Sequence, residues 1–121
     1  MKDSSRKAPA GLSSLVESFL QWHEGAGKAV GRDRLLEQCQ SVIKCDDTEL
    51  RLAIQELRER GVMICNNKDG HGYFLAGTVQ EYESWRNRYR AVAVTILRAT
   101  DATDRTAHKR FDYNPLQGKL F

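Results

Sequence analysis

The residue types best suited to covalent or metal chemistry are few and scattered in this chain of 121 residues. Cys39, Cys45 and Cys65 form an odd set without a CxxC pair; five residues separate the first two and nineteen separate the second from the third. Structural zinc sites use closely paired ligands, so these spacings do not build one even with His71 as a fourth ligand. Unpaired thiols behaving as small buried hydrophobes are the simpler expectation, and an odd cysteine set without a disulfide framework fits a reducing, cytoplasmic compartment. His23, His71 and His108 are dispersed over a helix end, a hairpin tip and a tail. Gly25-Ala26-Gly27-Lys28 holds only the end of a phosphate loop, because the upstream glycine is missing and no Ser or Thr follows Lys28. No Ser-His-Asp set, HExxH or paired-carboxylate arrangement stands out. The expectation is a protein that is not an enzyme and that takes no cofactor and no metal.

Binding chemistry is better represented. The segment from Thr48 to Glu59 carries Thr48, Arg51, Gln55 and Arg58, residue types that pair with base edges or phosphates: arginine forks onto guanine and glutamine onto adenine. Lys68 and His71 add two further phosphate-contacting types near a glycine-rich turn. The formal net charge of +3 is mild, and residues 28–60 carry seven charges of each sign. Charge alone therefore does not announce a nucleic-acid partner.

The elements that must position these residues follow from periodicity. Residues 1–11 are small, polar and basic and are expected to form a disordered arm. Leu12, Leu15, Val16, Phe19 and Leu20, continuing to Trp22 or His23, recur at helical spacing until Gly25-Ala26-Gly27 ends the pattern. Lys28-Ala29-Val30 has extended character, and a second, shorter helix follows from Gly31 to Cys39 with Leu35, Leu36 and Cys39 inward. Asp46, three residues ahead of Glu49, has the form of a capping box opening a third helix. Leu50, Ala53, Ile54 and Leu57 share its inner face, and Gly61 is placed to stop it. Val62 to Cys65 and Gly72 to Ala76 read as the strands of a hairpin, with Val62 and Ile64 on one face and Tyr73 and Leu75 on one face of the partner. Thr78 and Glu81 form a second capping box for a long helix to about Thr100. Its stripe of Tyr82, Trp85, Tyr89, Val92, Ala93 and Ile96 either packs on the first helix and the hairpin or forms a homodimer. Residues 101–121 are expected to be a flexible tail.

The fold class is thus mainly α with a small β-hairpin, a single domain too small for a multidomain enzyme. Its units are an arm at 1–11, a domain at 12–77, a long helix at 78–100 and a tail. No run approaches the ~20 apolar residues of a membrane span. Ala91 to Leu97 comes nearest and is interrupted by Thr95 and closed by Arg98. No apolar leader core follows Met1 to Lys7, which is consistent with a cytoplasmic protein.

Helix, short strand, helix, tight turn, helix, hairpin is the element order of a winged helix-turn-helix, in which the third helix enters the major groove and the hairpin tip lies against the backbone. From Leu50 to Ala76 the chain, with Ile54-x-Glu56-Leu57-Arg58-x-x-Gly61-Val62-x-Ile64 and then Gly72-Tyr73-Phe74-Leu75-Ala76, resembles winged-helix proteins of phages and prophages. The resemblance covers roughly residues 28–100 and implies a DNA-binding component of phage replication or its regulation, with double-stranded DNA as partner. On the third helix the outward face holds Thr48, Leu52, Gln55 and Glu59, with Arg51 and Arg58 on a flank. Thr48, Arg51, Gln55, Arg58, Lys68 and His71 are the expected DNA contacts. Asp46, Asp47 and Glu59 oppose them by repelling phosphate. The last five residues, Gln117-Gly118-Lys119-Leu120-Phe121, resemble the bacterial sliding-clamp-binding motif. That resemblance implies that Gln117, Leu120 and Phe121 dock on a clamp. An adaptor or inhibitor that binds host replication proteins without touching DNA is the alternative.

Overall fold

A computed structural model describes residues 6–69 and 72–114. By internal contacts the chain divides into Met1–Trp85 and Arg86–Phe121.

In the first unit, α1 (Leu12–Leu20) buries Leu12, Val16 and Leu20, one residue per turn on a single face. It ends before Trp22, which is 80% exposed and so does not extend the inner stripe. The linker that follows makes one 3-10 turn, Ala26–Lys28, and lies along the third strand: the Gly25 amide donates to the Leu75 carbonyl (2.8 Å) and the Leu75 amide to the His23 carbonyl (2.9 Å). After β1 (Val30–Gly31), α2 (Arg32–Gln40) buries Leu35 and Cys39. A short turn then leads to α3 (Asp47–Glu59). The expected capping box is present, with the Glu49 amide donating to Asp46 Oδ1 (2.8 Å) and the Asp46 amide to Glu49 Oε1 (2.9 Å). Gly61 ends the turn after α3 at φ +97°, a conformation costly to any residue with a Cβ.

β2 (Ile64–Asn66) and β3 (Gly72–Leu75) pair antiparallel with Cys65 opposite Phe74, and β1 joins the far edge of β3 with Val30 opposite Tyr73. The hairpin is thus part of a three-stranded antiparallel sheet in the order β1-β3-β2. Its inner face supplies Ile64, Tyr73 and Val30 to a core with Leu12, Val16, Leu20, Leu35, Leu50, Ile54 and Leu57. Its outer face is covered as well: Cys65 and Phe74 pack with Trp85 and Tyr82 from the first turns of α4 (Val79–Phe111). The aromatic start of α4 therefore seats on the hairpin.

Two boundaries differ from the sequence expectation. Residues 6–11 are placed against the domain, with Ala8 packed on the core and Arg6 Nη2 at 2.6 Å from Asp46 Oδ2. At the other end, helix continues to Phe111, where a tail is expected from 101. The threonines that blur the periodicity there are accommodated by back-bonding. Thr95, Thr100, Thr103 and Thr106 each donate their hydroxyl to a carbonyl three or four residues earlier. The helix closes at Asp112 (φ 57°), whose amide donates to the His108 carbonyl at 3.0 Å. Among the described residues no helix is long and apolar enough to cross a membrane.

Candidate nucleic-acid interface

The buried face of α3 fixes what the opposite face can offer. With Leu50, Ala53, Ile54 and Leu57 inward, Thr48, Arg51, Gln55 and Glu59 are exposed and Leu52 is half-buried. Thr48, Gln55 and Glu59 are outward as helical spacing expects, whereas Leu52, expected on the same face, is half-buried. Gln55 Nε2 donates to Glu59 Oε2 (3.1 Å), so its amide is already oriented along the helix.

Charge at the start of α3 is balanced by arginines from three segments. Asp47 holds two of them, Arg32 Nε at 3.2 Å and Arg51 Nε at 3.1 Å, and Asp46 holds Arg6. Three carboxylates, Asp46, Asp47 and Glu49, thus stand beside three guanidinium groups. The repulsion that Asp46 and Asp47 would exert on a phosphate is locally offset. The backbone amide of Glu49, with the Arg6 side chain, holds the Asp46 carboxyl below its ordinary value, so it stays charged at neutral pH. Arg32 was not visible as a site residue in the sequence. It lies fifteen positions before Asp47, and only the α2–α3 turn brings the two together.

Arg58 has partners within the protein that helical spacing does not show. Its Nε donates to the Ile64 carbonyl (2.9 Å), its Nη2 donates to Asn66 Oδ1 (2.8 Å), and its guanidinium carbon lies 4.8 Å from the Trp85 ring centroid. A side chain held in this way ties α3 to β2 and the start of α4. Lys68 is exposed in the turn between β2 and β3, beside the exposed Asp69. His71, and the expected clamp-binding Gln117, Leu120 and Phe121, lie outside the described residues.

The other polar groups serve the scaffold. Glu81 caps α4 in a wider arrangement than the expected box: its Oε1 accepts from the Gly77 amide (2.8 Å) and its Oε2 from the Ala26 amide (2.9 Å), while its own amide donates to Thr78 Oγ1 (3.1 Å). These backbone donors, Ala26 first, lower the Glu81 pKa. Ser13 Oγ donates to Glu56 Oε1 (2.9 Å), joining α1 to α3. All three cysteines are buried, and burial, with the Cys45 charge second, pushes the Cys39 thiol up to about 11. Among the described residues no group of three or more His, Cys, Asp and Glu side chains is arranged to hold a metal ion. In comparisons with known proteins, no family model, curated protein or solved structure matches this chain.

Proposed function

We propose that this chain is a non-catalytic DNA-binding protein of the winged helix-turn-helix kind, acting in phage-type DNA replication or its regulation. The observation that carries this reading is the presentation of Thr48, Arg51 and Gln55 on the outer face of α3, directly above a buried core face, next to Arg32 from α2. The α2–turn–α3 unit supplies the groove-entering helix, and the β2–β3 hairpin supplies Lys68 for the backbone. Arg51 and Gln55 read base edges, and Arg32 and Lys68 contact phosphate. The C-terminal Gln117, Leu120 and Phe121 supply a tether to a sliding clamp through a short peptide anchored by few side chains.

The test is fluorescence anisotropy of a labelled duplex at two salt concentrations. If Arg32 and Lys68 each neutralise one phosphate, affinity falls about 12-fold between about 50 and about 200 mM salt, Lys68→Ala reduces that fall to about 3.5-fold, and Arg51→Ala weakens binding without changing it. No binding at the lower salt would overturn the DNA reading.

One observation favours a second reading. Arg51 and Gln55 are paired within the protein to Asp47 and Glu59, which suits a helix that meets a protein surface instead of phosphate. An adaptor of that kind would ignore duplex DNA but retain a sliding clamp in a pull-down, and would lose it when residues 117–121 are removed.

A further inference from the structure

The second unit presents an apolar surface within one short stretch of helix. Tyr89 (48%), Val92 (58%), Val94 (44%), Ile96 (59%) and Leu97 (60%) are all exposed within nine positions. At about 100° per residue, Val92, Ala93, Ile96, Thr100 and Thr103 fall within about 60° of Tyr89 and form a band of apolar or small side chains. Exposed bands of this kind mark interaction surfaces.

The charges beside the band say what covers it. One border of the helix reads, in chain order, Arg86, Arg90, Val94, Leu97, Asp101, Asp104, all within about 45° of a common direction. Among the described residues none of these four charged side chains takes part in an ion pair. Read in reverse, the row is complementary to itself: arginines meet aspartates at both ends and Val94 meets Leu97 at the middle. Two helices related by a two-fold axis perpendicular to both bring like borders together in opposite directions. A single register, centred between Thr95 and Ile96, then sets Arg86 opposite Asp104, Arg90 opposite Asp101, and Val94 opposite Leu97. In that register the large Val92 and Tyr89 also face the smaller Ala99 and Thr103. A parallel pair would instead bring unlike borders together and set Arg86 and Arg90 towards Arg88 of the other border, which is repulsive.

We propose that residues 86–104 form an antiparallel two-fold helix pair with a second copy of this chain. The pair buries the Tyr89–Val92–Ile96 band and is oriented by the Arg86–Asp104 and Arg90–Asp101 pairs. The interface is independent of duplex binding, and its test uses no DNA.

Sedimentation equilibrium of the full chain is expected to show a dimer at about 100 µM. Each charge occurs twice in a two-fold pair, so Asp104→Arg weakens the dimer about tenfold. Combining it with Arg86→Asp reverses both ends of each ion pair and returns the affinity to within about threefold of the parent. That recovery also shows that the altered helix folds. A monomer at this concentration overturns the proposal, including one whose band is covered by its own C-terminal segment. A dimer indifferent to Asp104→Arg, or one that the double change fails to restore, equally overturns it.

Discussion

Arg58→Ala separates a scaffold role from a DNA-contact role at one position. The side chain makes two charge-assisted hydrogen bonds, to the Ile64 carbonyl and Asn66 Oδ1, and stacks over Trp85. Each bond contributes about 1 kcal/mol net of its exchange with water, and a half-exposed cation–π contact about 0.5 kcal/mol. The variant should therefore lose about 2–3 kcal/mol, which for a folding unit of this size lowers Tm by about 10–20 °C. Urea unfolding followed by tryptophan fluorescence reads the change, because Trp85 lies under the guanidinium. Arg58→Lys should recover only part of the loss, since an ammonium cannot span the Ile64 carbonyl and Asn66 together. In the duplex assay, well below the variant's Tm, the salt dependence should match that of the parent. A stability loss under about 0.5 kcal/mol, or a salt slope lowered by about one, would refute the assignment.

Two further outcomes follow from the ionisable groups. Asp46, Glu56 and Glu81 have pKa values lowered in the folded state, so the unfolded chain takes up protons first as pH falls. Their stabilisation is present above the ordinary values of 3.8 for Asp46 and 4.5 for Glu56 and Glu81, and is lost as pH drops through the folded values. The urea midpoint should hold near neutrality and fall below about pH 4.5, with Glu81→Gln making the fall shallower; a pH-independent midpoint would contradict the Glu81 clasp. Burial raises the pKa of Cys39 and Cys45. Cys39 in native protein at pH 8 should therefore react with a thiol reagent about a hundredfold more slowly than in urea, and its rapid native labelling would show the core to be open.

What could be read from the sequence was what a single segment states about itself. The α3 capping box, its inner residues and the Gly61 stop all lie within a few residues of one another, and local spacing located them. The partners of Arg58 are not legible in the sequence because they come from a strand that folds back six and eight positions later, and a helical projection sees only the outer surface of its own helix. The Arg32–Asp47 pair is hidden for the same reason. The hairpin's alternation placed Ile64 and Tyr73 correctly, but Cys65 and Phe74 are buried too, and a sheet covered on both faces loses the pattern that tells inside from outside. The end of α4 escaped because threonine hydroxyls bonded to preceding carbonyls leave no hydrophobic period to follow.

The seating of Tyr82 and Trp85 on the outer face of the sheet determines where this protein can be cut. A fragment ending at Gly77, where the sequence suggests a domain edge, would carry Phe74 and Cys65 on an open face of a sheet whose strands are only two to four residues long. Such a fragment is poised to stick to other chains through that face. During synthesis the same face stays uncovered until Trp85 is made, so the first unit completes its packing only once α4 has begun. The smallest self-sufficient piece of this chain therefore ends inside a helix, past its second turn, and not in the loop before it.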